Sequence, residues 1–295
     1  MRVALTGSTG YLGSHLCLQL AALGHSIRGL ARPASNRSLL DQLSAEVVVG
    51  DMVDDASLRA LVEDADTVIH NACSWEALRD GPEHNRVVNV DPSLRLLERA
   101  RQAGVRQYLY VSSISVYGPV VLGRHLDETH PVYPDSLYGM TKAMLEDAAQ
   151  AYHFVYGLNT SSWRPAAVYG IHPLDPRHAT WRDLILDVLT GRPVDTAAGT
   201  STVSAEDTAH AIAMAVGREE VAGQLYNLVD CYVYAQQVAE MAREMSGSEA
   251  PIRDRVGLAI PRYLVISDRA QALGARLNRG LEGIREHVRR VLMTV

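Results

Sequence analysis

Tyr138 and Lys142 stand four residues apart in Tyr138-Gly139-Met140-Thr141-Lys142. Positions i and i+4 of a helix share a face, so this spacing can aim a phenol and an ammonium into one site. A free tyrosine titrates near pH ~10, too high for proton transfer at neutrality. A neighbouring ammonium, together with the positive charge of an oxidised nicotinamide, favours the phenolate and makes the group a usable acid/base. The same lysine can hold ribose hydroxyls. Upstream, an apolar run at 108–111 passes into Ser112-Ser113-Ile114-Ser115-Val116-Tyr117-Gly118. Ligands of parallel sheets bind beyond the carboxyl ends of the strands, so a serine here can hydrogen-bond a substrate carbonyl or alkoxide.

A second group of residues could hold the nucleotide that such chemistry needs. Thr6-Gly7-Ser8-Thr9-Gly10-Tyr11-Leu12-Gly13 follows the first apolar run and opens the first helical stretch. Of its glycines, Gly7 permits a tight turn, Gly10 lets the backbone approach a pyrophosphate, and Gly13 lets helix pack close to strand. The free N–H groups and the positive end of that helix then face the phosphates. At the end of the second apolar run, where an NAD site places an acid for the ribose 2′-hydroxyl, the sequence reads Leu30-Ala31-Arg32-Pro33. A guanidinium suits a 2′-phosphate, so NADP is expected over NAD.

These groups need a scaffold. Short runs at 3–5, 26–30, 46–49, 67–70, 108–111 and 161–164 are rich in apolar and β-branched residues. Helical patterns separate them at 11–23, 55–62, 92–103 and 136–156. Asp54 is placed to cap one helix; Asp91-Pro92 reads as a cap followed by proline at the first helical position. Alternation of this kind predicts an α/β fold, a doubly wound parallel sheet. Beyond Pro165, residues 171–181 read as a loop, helices are expected at 181–189 and 206–216, and the last seventy residues carry little strand signal. The expected organisation is a dinucleotide-binding domain from 1–165 plus 203–227. A smaller, mostly helical substrate-binding part takes 166–202 plus 228–295.

Composition narrows the function classes. With 28 Lys and Arg against 34 Asp and Glu, the net charge of −6 argues against a general nucleic-acid binder. Three distant cysteines make no disulfide framework or CxxC pair, and no apolar run is long enough to span a membrane. A cytoplasmic protein is expected. The histidines show no metal-ligand spacing, so no metal site is expected.

Taken together, the motifs resemble the extended short-chain dehydrogenase/reductases, the NAD-dependent epimerase/dehydratase family. The likeness rests on TGSTGYLG at 6–13, GDMVD at 50–54, HNAC at 70–73, SVYG at 115–118, YGMTK at 138–142 and WRPAAVYG at 163–170. The run at 89–113, VSAEDTAHAIAMAV at 203–216 and GQLYNL at 223–228 extend it over nearly the whole chain. The resemblance implies that Tyr138 is the general acid/base, that Lys142 binds ribose and tunes it, and that Ser113 orients the reacting oxygen, with Ser112 the second candidate. It places Asp51 and Met52 at adenine, Asn71 and Ala72 along the cofactor, and Pro165 and Val168 beside the nicotinamide. Asn89 is left between a cofactor-side and a structural role. A homodimer through the helices near 92–103 and 136–156 is implied as well.

Departures from the family pattern bear on substrate. Ala167 stands where nucleotide-sugar epimerases commonly carry an asparagine, and Gly199-Thr200-Ser201-Thr202 lacks their arginine. Arg177, Arg182 or Arg262 could substitute. Ile114-Ser115 replaces the Asp-Glu pair of the 4,6-dehydratases, which argues against dehydration. GHSIRGLARPASNRSLL at 24–40 resembles the dihydroflavonol-reductase-like branch, whose members use NADP. The expectation is an NAD(P)-dependent oxidoreductase acting on a small hydroxyl or carbonyl compound, sugar-derived compounds among them. A nucleotide-sugar epimerase is the alternative, and a non-catalytic dinucleotide sensor a minor one. His172 and His178 are candidate substrate contacts, and Cys73 and Tyr133 are near-site residues.

Overall fold

Apolar runs too short for helices bury best as strands covered on both faces, and right-handed crossovers through helices then set their order. The computed structural model describes residues 1–195, 198–253 and 261–295. In chain order its strands are β1 (Arg2–Thr6), β2 (Ser26–Ala31), β3 (Glu46–Val49), β4 (Thr67–His70), β5 (Gln107–Val111) and β6 (Asn159–Pro165), then β7 (Ala167–Tyr169), β8 (Ile171–His172), β9 (Asp175–Ala179), β10 (Gly199–Ser204), β11 (Gln224–Leu228) and β12 (Cys231–Tyr234). Seven of them form a parallel sheet in the order β11-β6-β5-β4-β1-β2-β3. The direction of winding reverses between β1 and β4, and that reversal opens a crevice at the carboxyl edge.

The helices are α1 (Tyr11–Ala22), α2 (Ser38–Gln42), α3 (Asp55–Val62), α4 (Trp75–Asp80), α5 (Pro82–Asn85), α6 (Asp91–Gln102), α7 (Leu137–Tyr156), α8 (Arg182–Leu189), α9 (Ala205–Ala213), α10 (Ala235–Ser246), α11 (Asp268–Ala272) and α12 (Gly280–Leu292). Leu16 and Leu20 of α1 and Ala209 and Ile212 of α9 share one core cluster with Leu5 and Leu109 of the sheet. Leu58, Leu61, Leu96 and Leu145 of α3, α6 and α7 build another, with Val68 and Tyr108. A smaller layer joins α8, α10 and α12 through Ile185, Val188, Val238, Ile284 and Val288. It packs beside a three-stranded sheet, β12-β10-β7.

Asp54 caps α3 as expected, accepting from Ala56 and Ser57 N–H. Asp91 opens α6 but does not cap a free helix start. Residues 86–90 form a π-helical turn that continues α5 into α6, and the Asp91 N–H reaches back to the Arg86 carbonyl. Pro92 has no N–H to donate inside a helix, and the wider turn relieves that defect. The Asp91 carboxylate pairs with Arg86 instead. Residues 171–179, expected as loop, form the antiparallel β8–β9 pair. The strand at 231–234 escapes sequence reading because Tyr232 and Tyr234 alternate with Cys231 and Val233, and its register is set only by pairing with β10.

One buried ion pair fixes α7 against the sheet. Arg164, near the end of β6, grips the Glu146 carboxylate through Nε (2.9 Å) and Nη2 (2.6 Å). The two side chains are 3% and 4% exposed. Arg164 Nη1 donates to the Tyr117 hydroxyl (2.9 Å), which donates to the Asn227 side chain on β11 (2.7 Å). Glu146→Ala strands a buried guanidinium and should cost about 3–5 kcal/mol of stability. Equilibrium urea unfolding checks this; a loss under about 1 kcal/mol would show that the pair does not hold the helix.

Candidate active site

Tyr138 sits in the first turn of α7, whose Ser136 caps the helix by accepting from Gly139 N–H (3.1 Å). Gly139 is required by contact: a Cβ there would stand 2.3 Å from the Ser115 carbonyl. The helix start is thereby pressed onto the turn that follows β5. The Ser113 hydroxyl lies close enough to Tyr138 to favour its phenolate, and it donates to Ser115 Oγ (3.2 Å). Ser113 also accepts from Ser115 N–H (3.1 Å), which fixes its rotamer. Ser112 is buried, with no hydrogen-bond partner for its hydroxyl among the described residues.

Lys142 is buried one turn further on. Its Nζ donates to the Val111 carbonyl at the end of β5 (2.7 Å) and lies 5.6 Å from the Tyr138 ring centre. The three predicted catalytic groups thus converge. In the chain itself burial pushes Tyr138 up to about 12, and the neighbouring Ser113 hydroxyl acts in the opposite direction. Burial also lowers Lys142. Desolvation of the charged forms outweighs the pairing, and the polypeptide alone keeps Tyr138 as a phenol at neutral pH.

Sequence reasoning missed Trp75, which borders this centre. Trp75 stacks on Tyr138, centroids 4.6 Å apart and planes at 28°, yet remains 60% exposed. It begins α4, capped by Ser74. Asn89 grips Ser74 at both ends, accepting from its N–H (2.7 Å) and donating to its carbonyl (3.0 Å). The Asn89 amide also donates to Asn85 (2.9 Å), which donates to Thr141 (2.8 Å), next to Lys142. Asn89 is therefore a structural tie between the Trp75 segment and α7. The π-helical turn brings it there. Cys73 lies near Tyr138 and Lys142, and burial raises its pKa and holds it as a neutral thiol.

The nucleotide residues line the same edge of the sheet. Gly7 has φ of +66°, and a Cβ on it would meet Asn71 Nδ2 at 3.0 Å and Ala72 at 3.1 Å. A Cβ on Gly13 would lie 1.9 Å from the Gly7 carbonyl. Helix α1 starts at Gly10 with no side-chain cap, so the N–H groups of Tyr11, Leu12 and Gly13 are available to a bound anion. Thr6 organises the neighbouring strand end. Its hydroxyl accepts from the Asn71 (3.0 Å) and Ala72 (3.1 Å) N–H groups and donates to His70 Nδ1 (2.8 Å). Burial pushes His70 down to about 3, so it stays neutral and hands its Nε2–H to Ser93 (2.8 Å).

Arg32 follows β2, exposed and with no ion pair among the described residues. Asp51 and Met52 follow β3; the Asp51 carboxylate accepts from Val53 N–H (3.1 Å), and Met52 packs on the core beneath. Pro165 ends β6, and Val168 shares a cavity wall with Thr9 and Tyr11. A backbone cradle that no Cβ could enter, uncapped helix N–H groups and a free guanidinium fit the diphosphate and ribose of a nicotinamide dinucleotide. His172 and His178 face that cavity from the β8–β9 pair.

A model of the NAD dependent epimerase/dehydratase family matches residues 3–228. Sterol demethylase protein B of Methylococcus capsulatus is 29% identical over 268 residues, covering 90% of this chain and 79% of that protein. A 3 beta-hydroxysteroid dehydrogenase/Delta 5-->4-isomerase of Mycobacterium tuberculosis is 33% identical over 181 residues. That match covers 57% of this chain and about half (47%) of the relative. Among solved structures, UDP-glucose 4-epimerase of Thermus thermophilus, in complex with NAD, superposes with a TM-score of 0.82 at 26% identity, covering all of both chains. With more than three quarters of its length matched by the family model, this chain belongs to the NAD dependent epimerase/dehydratase family.

Proposed function

We propose that the chain is an oxidoreductase that moves hydride between a nicotinamide dinucleotide and the carbinol or carbonyl carbon of a small substrate. The observation that carries this reading is the gathering of Ser113, Tyr138 and Lys142 at the carboxyl end of β5, with Lys142 Nζ 5.6 Å from the Tyr138 ring centre and donating to the Val111 carbonyl. A bound nicotinamide supplies the hydride donor or acceptor. The chain supplies the proton and the geometry. Ser113 holds the reacting oxygen, Tyr138 gives its phenolic proton to the forming alkoxide, and Lys142 holds the ribose and stabilises the phenolate left behind. A tyrosine that burial keeps protonated is in the form that donates the proton in the reductive direction. NADP is the favoured cofactor, because Arg32 stands free at the end of β2 and the neighbouring sequence resembles NADP-using reductases.

A nucleotide-sugar epimerase is the second reading, favoured by the full-length likeness to the Thermus enzyme. Net consumption of NADPH separates the two. The sterol and steroid relatives make a 3-hydroxysteroid and its ketone part of the substrate panel beside UDP-glucose. A second copy of the chain covers an apolar stripe on α7, where Met140, Met144, Phe154 and Val155 are exposed, together with Val87 and Leu94.

Tyr138→Phe should lower kcat by about 10²- to 10⁴-fold and leave NADPH binding within about twofold. Turnover measured at 340 nm and a fluorescence titration read the two effects, and undiminished turnover refutes the assignment. Arg32→Glu should weaken NADPH about tenfold or more and spare NADH; equal losses would remove the 2′-phosphate argument. Met144→Glu should convert a particle of twice the chain mass into a monomer by light scattering. A wild-type monomer would refute the pairing.

A further inference from the structure

We infer that the β8–β9 pair forms the second wall of the diphosphate site, with His178 as the side chain that contacts the phosphates. This rests on the dinucleotide reading above. The observation behind it is a cavity of about 550 Å³. Thr9 and Tyr11 of the glycine turn form one side, and His172, His178 and Thr180 the other.

The hairpin is tied to the glycine turn itself. His172 Nδ1 accepts from Leu174 N–H (3.1 Å), which puts the imidazole proton on Nε2. That nitrogen faces the Thr9 backbone and lies 3.4 Å from the Ser14 hydroxyl. One turn along α1, His15 Nε2 donates to the Ile171 carbonyl (3.1 Å), and the Tyr11 hydroxyl meets Thr180 Oγ1 (3.4 Å). Burial lowers both His15 and His172, so these ties are made by neutral rings. The nearby Glu206 and Arg290 neutralise each other in an ion pair (2.8 Å).

His178 differs from the other two. Its ring stands edge-on to His172, centroids 6.3 Å apart, and its side chain is largely exposed. Nδ1 lies 3.1 Å from the Asp175 carboxylate. Arg177 grips the same carboxylate (2.8 and 2.9 Å) and keeps it ionised. Nε2 has no protein partner among the described residues. An imidazole oriented by a carboxylate on one nitrogen presents the other as a directed donor, and a phosphate oxygen is the acceptor that gains most from it. The glycine turn supplies N–H groups from one side only. The hairpin closes the opposite side.

Isothermal titration of the full chain with ADP-ribose, NADPH and 5′-AMP tests this. His178→Ala should weaken ADP-ribose and NADPH about tenfold and leave 5′-AMP, which lacks the second phosphate, within about twofold. His178→Gln keeps an N–H donor and should recover part of the loss. Because His178 is exposed, the melting temperature should not change. Unchanged ADP-ribose binding in His178→Ala overturns the inference, and so does an equal loss for ADP-ribose and 5′-AMP. A wild-type chain that binds neither ADP-ribose nor NADPH would instead bring down the dinucleotide reading, and the inference with it.

Discussion

The ion pair between Arg164 and Glu146 is the constraint on which the site depends. Glu146 follows Lys142 by four residues and Tyr138 by eight, so all three lie along one face of α7. Arg164 sits on β6, the strand beside β5. A bidentate grip between buried charges admits little sliding or rotation. It sets the helix so that Tyr138 meets the turn after β5 and Lys142 meets the last carbonyl of that strand. The same guanidinium reaches Tyr117, and through it Asn227 on β11. Strands β6 and β11, the turn after β5 and α7 are therefore joined by one desolvated network.

On the other side of the crevice the organising group is small. The Thr6 hydroxyl serves two N–H donors and one imidazole acceptor, leaving the backbone of residues 71–72 pressed against Gly7. From residue 73 the chain passes to Ser74 and Trp75, which Asn89 and Asn85 tie back to Thr141 on α7. The glycine turn and the cluster of Ser113, Tyr138 and Lys142 are thus mechanically continuous. Trp75, stacked on Tyr138 yet exposed on its outer face, forms the border between the phenol and solvent.

Much of this is legible in the sequence, because it is written in local patterns. Strand–helix alternation points to the parallel sheet, and glycine spacing and the Tyr–Lys interval point to both halves of the site. What escapes depends on tertiary contact. Asp91-Pro92 reads as a helix start, but the π-helical turn absorbs the proline and carries Asn89 to Ser74. Trp75 carries no motif that marks it as a neighbour of Tyr138. Glu146 continues the i, i+4 series from Tyr138 and is the one readable signal for the ion pair. Its partner Arg164 looks like a strand residue before a proline. The burial of Tyr138 is not legible in sequence either, because charge pairing can be read from spacing, whereas desolvation can be read only from the packed structure.

The most direct test of the central claim is a crystal structure of the chain with a reduced nicotinamide dinucleotide. The account predicts a nicotinamide ring beside the Ser113–Tyr138 pair and ribose hydroxyls within hydrogen-bonding distance of Lys142 Nζ. A ring bound away from that pair, or a dinucleotide lying outside the crevice at the carboxyl edge of the sheet, would contradict it.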